Sequence, residues 1–460
     1  MQDKENFELI CEYRNKDLDA VDKRRVDIMY AAFEPYHLSK ELNELSFEIE
    51  TKTNELSKIL NTHRNILDGQ EISAVEIAQI LASEEDGNRR KQAFLARSQV
   101  NKPLVDGGFI DLINLRKEYA KLSGFNNFVE LQLHKQELDS SIFNNWTKQL
   151  QEILPKMEDK RTEYAKKYIN ADKIMPWDEA YVNSKIAPLL NSTVDMSEYY
   201  KNIHEFFKMF GIDISKYNIT YDIFARANKS EWGYNFPIET AKDSRIIANV
   251  KNQYHEYNVL LHETGHAVHS FLLNPEELIL NNGVSGIISE GIANLFGGFI
   301  YEKIFSQKFF KDGEAAAKEF NSIREFKKLN SLRAINNIFF DQELYRSNVS
   351  CLDDIYNIYW KTQKQVLNEE PFGEEAPWGF RIHHTTHPIY LQNYFMGDVT
   401  CEMLSKVFNK KYGTESIIDK PLQFGEFLID EVIKPSGLYK YGDLFKKISG
   451  EDFSLKYILD

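Results

Sequence analysis

The stretch YNVLLHETGHAVHSF, residues 257–271, constrains the fold more than any other part of the chain, because it sets a glutamate between two histidines inside an apolar helical pattern. Leu260, Leu261, Ala267, Val268, Phe271 and Leu272 recur at helical spacing as one broad face, and Asn274-Pro275 ends the pattern. The result is a helix with a wide buried side. His262 and His266 stand four residues apart, about one turn, so their side chains can converge on one point. Desolvating such groups without partners costs on the order of 1–3 kcal/mol each, and a shared metal ion removes that cost. Glu263 is rotated by roughly 100° from His262 around the helix axis, where it could deprotonate a water held by the metal. Gly265 costs about 1 kcal/mol relative to Ala inside a helix and signals the close approach of another backbone.

A catalytic zinc ion takes three protein ligands and keeps one position open. The third is sought downstream, in SGIISEGIANLFGGFI, residues 285–300. This reads as a second helix with Ile288, Ile292, Leu295 and Phe299 as its apolar stripe and Glu290 and Asn294 on another face. Glu290 follows His266 by 24 positions (290 − 266), enough for one loop and an antiparallel return. It can complete the site, although a carboxylate near a helix start is also favoured by the dipole alone. Asn294 is either a partner that orients a ligating histidine or a polar surface residue. Gly286, Gly291, Gly297 and Gly298 would let this helix lie close against Gly265, or mark a flexible loop. His255 and His269 are each seven residues from His262 and are read as packing or supporting contacts. Cys11, Cys351 and Cys401 are isolated, so cysteine ligation fails on spacing. The expectation is one zinc ion per chain, on His262, His266 and Glu290.

These segments resemble a known family. HETGHAVHSF is similar to the zinc helix of the thimet oligopeptidase and oligoendopeptidase F family of zinc peptidases, and SEGIANLF resembles the segment that carries their glutamate ligand. Residues 378–397, WGFRIHHTTHPIYLQNYFMG, resemble the family's C-terminal segment, in which a histidine and two or more tyrosines face the zinc. On that pattern His384 takes the place of the histidine, and Tyr390 and Tyr394 those of two tyrosines. EYYKNIHEFFKMFGIDI resembles the helix and turn before a small cleft sheet. The resemblance covers roughly residues 195–405. It implies a mainly α fold, two helical lobes around a deep substrate cleft, and peptide hydrolysis in which Glu263 is the general base while His384 and Tyr394, with Tyr390 beside them, stabilise the oxyanion. Gly397 stands where thimet oligopeptidase has a third tyrosine. His383 and His387 fall where other residues are common, so which of the three histidines faces the zinc stays open. Angiotensin-converting enzyme and its bacterial relatives share the zinc layout and imply a peptidyl-dipeptidase as the alternative.

The rest of the chain bounds this reading. With 56 basic and 70 acidic residues the formal charge is −14, which disfavours nucleic acid and anionic lipid as partners. The opening MQDKENFELI lacks a signal pattern and no run of 18 apolar residues occurs, so a soluble cytoplasmic protein is expected, without a membrane partner. Three scattered cysteines fit a reducing compartment. The first 210 residues repeat apolar positions every three or four, with Asp195 as an N-cap and Gly211 as a helix stop. Residues 216–250 instead alternate and are β-branched, which predicts a small antiparallel sheet just before the zinc helix. An edge strand there could pair with an extended peptide, or be merely structural. The domain expectation is an N-terminal helical lobe over 1–215 and a catalytic region over 216–460. The functional expectation is hydrolysis of short peptides. A catalytically altered peptide-binding relative and a small-molecule metallohydrolase are the readings from other classes. The spacing of the histidines in HHTTH also allows a second metal site or a polar loop, and Tyr390 and Tyr394, four apart, also fit two core residues; the family-like role is preferred.

Overall fold

Helical periodicity dominates the chain, and the computed structural model, which describes residues 1–226, 229, 233–309 and 313–459, is mainly α. Compactness divides it differently from the boundary expected at 215/216. One unit comprises residues 38–186 and 325–395; the other comprises 1–37, 187–324 and 396–460. The chain returns to each unit after leaving it, and periodicity, which is local, carries no record of such returns. Among the described residues no helix is long and apolar enough to cross a membrane.

The first of these, the helical unit, is built on long helices at Lys40–Thr62, Phe109–Leu122, Trp146–Ile169, Ile335–Arg346 and Leu352–Leu367. Ser39 starts the first by accepting a hydrogen bond from the Leu42 N–H at 3.2 Å. A hairpin of β1 (Asn65–Leu67) and β2 (Gln70–Ile72) follows, turned by Asp68-Gly69 with both φ values positive. Leu67 of β1 packs with Ile77, Leu81, Phe94 and Trp177 in an apolar cluster. Buried arginines hold the unit together at fixed points. Arg90 donates to Asp178 at 2.6 Å, and Arg116 donates to the Tyr345 hydroxyl at 2.9 Å and the Thr385 carbonyl at 2.7 Å. The last contact anchors the short helix Ile382–Thr386, which carries the HHTTH histidines.

The other unit contains a three-stranded sheet of β3 (Ile219–Phe224), β4 (Tyr234–Glu239) and β5 (Asp243–Val250), in the order β3-β5-β4. The β4/β5 pair is antiparallel, as expected for 216–250, with Asn235 opposite Ile246. The β3/β5 pair is parallel, with Tyr221 opposite Ile246. The reason is topological: β5 turns back beside β4 and is then the central strand, so β3 on its far side runs in the same direction. Residues 227, 228 and 230–232 of that stretch lie outside the described residues.

The sheet lies against the helix Glu256–Leu272, the histidine helix, through β4 and β5. That helix begins where the buried Glu256 carboxylate accepts hydrogen bonds from the N–H groups of Lys251, at 2.7 Å, and Gln253, at 2.8 Å. Thr264 on its back face lies 3.0 Å from the Tyr221 hydroxyl of β3 and 3.3 Å from that of Tyr199. Tyr199 starts the helix Tyr199–Met209, preceded by the Asp195 cap and followed by Gly211 at φ +76°. A second helix, Gly286–Gly298, packs directly on the histidine helix and carries Glu290; it is the glutamate helix below. A Cβ added at Gly265 would lie 3.0 Å from Ala293 Cα and 3.3 Å from Phe296 Cβ, so glycine suits this approach and any side chain here would press on the neighbouring backbone. Asn258 tightens the pair by donating to the Gly297 carbonyl at 2.8 Å. Beneath the pair lies an aromatic core in which Phe207 and Phe296 are 4.8 Å apart and Phe206 and Phe299 5.0 Å.

Side chains at Gly265 and Gly298 should therefore have opposite effects. Gly265→Val should destabilise by roughly 1–3 kcal/mol or more through overpacking. Gly298→Ala, with nothing within 4 Å of the added carbon, should be neutral or stabilising by up to ~1 kcal/mol. Denaturant unfolding midpoints of the two variants measure the contrast, and equal midpoints would mean that the helix contact does not depend on Gly265.

Candidate metal centre

The packing of these two helices brings three side chains to one point. His262 Nε2 lies 3.2 Å from His266 Nε2 and 3.7 Å from Glu290 Oε2, and His266 Nε2 lies 3.9 Å from that oxygen. Ligands about 2.0–2.1 Å from a tetrahedral ion are separated by roughly 3.3–3.4 Å, so the three atoms surround a position of the right size. Two imidazoles and one carboxylate with a fourth direction left over also form the donor set of a catalytic site. Among the described residues this is the one group of histidine, cysteine or acidic side chains with metal-binding geometry.

The electrostatics fit an ion equally well. Burial pushes His262 down to about 4 and His266 well below its ordinary value, the latter also because His262 and His269 adjoin it. Both rings are thus neutral, the form that ligates. Burial raises the Glu290 carboxyl to about 7, and burial together with the Glu290 charge raises Glu263 to about 7. No lysine or arginine among the described residues offsets the two acids. A cation at the centre would supply the missing charge.

Each imidazole is oriented by its other nitrogen. His266 Nδ1 lies 2.9 Å from Ser289 Oγ, on the residue before Glu290. His262 is hydrogen-bonded by Asn294, whose amide donates to Asp398 Oδ1 at 2.9 Å. Ser289 and Asp398 were not legible as site residues, whereas Asn294 was, from its place one turn beyond Glu290. His269 is fully buried and pushed down to about 4, and its Nε2 has no hydrogen-bond partner among the described residues. His255 is exposed, with Nδ1 3.2 Å from the Leu190 carbonyl. Neither joins the three-residue group, as their seven-residue offset from His262 requires.

The segment 378–395 belongs to the helical unit, and there the structure separates the candidate residues. His384 has no exposed surface. Its Nδ1 lies 3.0 Å from Asp341 Oδ1, its Nε2 has no hydrogen-bond partner among the described residues, and its ring packs edge-on against Phe340. Asp341 also accepts the Ile389 N–H at 2.6 Å through its other oxygen. Ile389 is at φ +57°, a costly conformation for a β-branched residue, and its carbonyl is held by Gln136 at 2.8 Å and Gln392 at 2.7 Å. Asp341 thus clamps both the histidine and the strained turn that leads to Tyr390. Its sequence signal is faint: one carboxylate in the apolar run INNIFFDQELYR. His383, by contrast, is half-buried; its ring meets that of Tyr394 edge-on at 5.6 Å, and Tyr394 meets Tyr390 at 5.5 Å. Tyr394 is 41% exposed. The sequence reading sets His384 toward the reacting carbonyl; in the structure, the accessible histidine beside the tyrosines is His383.

Residues 80–221 match the family model for peptidase family M3. The match spans 142 of the 460 residues (221 − 80 + 1), and over that stretch the chain is similar to this peptidase family, which supports a metallopeptidase. The match falls mostly before the segment 195–405 that carries the motifs, in helices whose sequence shows only periodicity. Two solved peptidases share the fold. A structure assigned as an oligoendopeptidase F aligns with a TM-score of 0.69 at 17% identity, over 94% of this chain and 75% of that one. PZ peptidase A, solved with an inhibitor, aligns with a TM-score of 0.64 at 17% identity, over 93% and 79%. No curated protein matches the sequence. At Gly397, where thimet oligopeptidase has a tyrosine, an added Cβ would lie 2.8 Å from Glu290 Cβ. Glycine here lets the helix Leu391–Tyr412 run directly past Glu290.

The raised carboxyl pKa values predict a pH effect in metal-free protein. Both rise from 4.5 to about 7 on folding, so the neutral acids stabilise the fold below about pH 4.5, and that contribution is lost as pH rises through 7. The lowered histidines act in the opposite sense, losing stability as pH falls toward 4, so wild type must be compared with a variant. Relative to Glu263→Gln, chelator-treated wild type should lose stability between pH 4.5 and 7.5, by up to ~3 kcal/mol. Thermal melts across this range test it; parallel curves for the two proteins would show that Glu263 is not desolvated in solution.

Proposed function

We propose that the protein is a zinc-dependent oligopeptidase that hydrolyses peptide bonds in short extended peptides. The observation that carries this reading is the convergence of His262, His266 and Glu290 on one point, with a desolvated Glu263 on the same helix as the two histidines. His262, His266 and Glu290 would hold the ion, and bound zinc supplies a Lewis acid that lowers the pKa of a water to about 7 and polarises the scissile carbonyl. Glu263 takes a proton from the attacking water and passes it to the leaving amine. Ser289 and the Asn294–Asp398 pair keep the two rings fixed while charge develops.

On the family pattern, Tyr394 and Tyr390 donate hydrogen bonds to the oxyanion. The family also gives this work to a histidine; its burial favours His383 for the direct contact and leaves His384, through Asp341, to position the turn at Ile389. Strand β4 supports an extended substrate. It is an edge strand with Tyr234, Phe236 and Ile238 exposed, which offers backbone pairing that tolerates many side chains.

Glu263→Gln should retain about one zinc per chain and lose turnover by roughly 10²–10⁴, whereas Glu290→Gln should lose metal affinity. Metal content by mass spectrometry, together with cleavage of a mixed peptide pool, measures both. A Glu263→Gln protein that keeps normal turnover would remove the general base from this scheme. Tyr394→Phe deletes one hydroxyl and little volume, so as an oxyanion donor its loss should lower kcat by roughly 10²–10³ with little change in KM or melting temperature. Unchanged kcat with zinc bound would assign Tyr394 to packing.

A further inference from the structure

The helical unit contains a cavity of about 490 Å³ that the hydrolytic scheme does not use. Its size is that of a small-molecule site. On its wall lie two arginines without a carboxylate partner among the described residues, Arg97 and Arg381. Both approach one phenyl ring: the Arg97 guanidinium is 5.1 Å from the centre of Phe380 and 5.8 Å from that of Phe94, and the Arg381 guanidinium is 5.4 Å from Phe380. Elsewhere in the unit the buried Arg116 is tied to neutral groups, the Tyr345 hydroxyl and the Thr385 carbonyl, and others meet carboxylates. Arg90 has Asp178, and Arg333, on the same cavity wall, has Glu158 and Glu369. Burial and the nearby Arg381 charge push Arg97 down to about 10, the direction expected where two cations share a partly desolvated wall; Glu179, the carboxylate that also lines the cavity, pairs with Arg161 and Arg333 instead. In a chain of net charge −14 such a pairing is conspicuous.

The opposite requirement is met in the same cavity. Asn336 and Asn337, 3% and 9% exposed, both line it, and the side-chain oxygen of each has no hydrogen-bond partner among the described residues. Buried carboxamides left in this state are costly, and a ligand with N–H donors would satisfy them. Phe94, Phe372 and Phe380 add an aromatic wall between these polar groups. An anion for two guanidiniums, N–H groups for two carbonyl oxygens, and an apolar side chain against phenyl rings together describe the C-terminal residue of a peptide. A bare inorganic anion would satisfy only the first.

We infer that the cavity lined by Arg97, Arg381, Phe380, Asn336 and Asn337 binds the free C-terminal carboxylate of a short peptide, with the peptide N–H directed to the asparagines and an apolar or aromatic last side chain against the phenyl rings. The peptidase reading enters only in choosing a peptide as the carrier of the carboxylate. Binding is therefore measured without turnover, in the zinc-loaded Glu263→Gln protein, by calorimetry with Ala-Ala-Phe and with its C-terminal amide. The carboxylate form should bind about tenfold or more tightly, as expected for a lost charge-assisted pair. Arg97→Gln and Arg381→Gln in the same background should each shrink that preference, and Arg97→Lys should keep part of it, with zinc content unchanged throughout. Arg381 is exposed, so Arg381→Gln decides the matter if Arg97→Gln fails to fold. Equal binding of acid and amide, no binding of either, a preference that survives in both arginine variants, or displacement of the peptide by equimolar inorganic phosphate would each overturn the assignment. None of these outcomes depends on whether the protein cleaves peptides, which the pool digestion with metal-loaded wild type decides separately.

Discussion

The convergence of His262, His266 and Glu290 depends on one contact, the approach of the glutamate helix to the histidine helix at Gly265. There the backbone of Ala293 lies where a side chain would otherwise stand. This closeness carries Glu290 to within 3.7–3.9 Å of both imidazoles. It also excludes the water that would keep two carboxyls ionised, and so raises Glu263 and Glu290 together. Geometry and electrostatics therefore have a single origin. Gly397 extends the same logic on the other side of Glu290, where a third helix passes at a distance only glycine permits.

The helical unit uses a different device. Where the metal centre concentrates acids, this unit buries arginines and uses them as multi-dentate ties: Arg90 to Asp178, Arg116 to Tyr345 and Thr385, Arg333 to Glu158 and Glu369. Asp341 is the acidic counterpart, holding His384 with one oxygen and the left-handed Ile389 with the other. A histidine fully enclosed next to such a carboxylate keeps a turn in place, and beside that turn lie the half-buried His383 and Tyr390 and the exposed Tyr394. Arg97 and Arg381 depart from the pattern, which is why their cavity invites a ligand.

The candidate metal site was legible as a cluster because each of its elements is local. The four-residue offset of His262 and His266, Glu263 between them, and the separate helix around Glu290 are all written within 45 residues of chain (residues 256–300), and the apolar stripes state which faces are buried. Asn294 followed from the same register. Asp398, which holds Asn294, is 104 positions away along the chain (398 − 294) and carries no pattern of its own. The sheet was legible as β-structure but not in its pairing, because the parallel β3/β5 contact depends on which strand becomes central. His384 shows the limit of motif reading. A pattern gives the residue type at a position, whereas exposure depends on what packs around it, here Phe340 and Asp341 from another helix.

The sequence by itself determined the mainly helical class and the candidate metal-ligating set His262, His266 and Glu290 with Glu263 beside it, since these follow from short-range spacing, which dihedral geometry fixes. Only the tertiary structure decided the interleaving of the two units, the clamp at Asp341, the exposure of His383 over His384, and the meeting of Arg97 with Arg381, 284 residues apart (381 − 97). Those features come from desolvation and packing between distant segments. Such forces act through space, and a one-dimensional pattern does not record them.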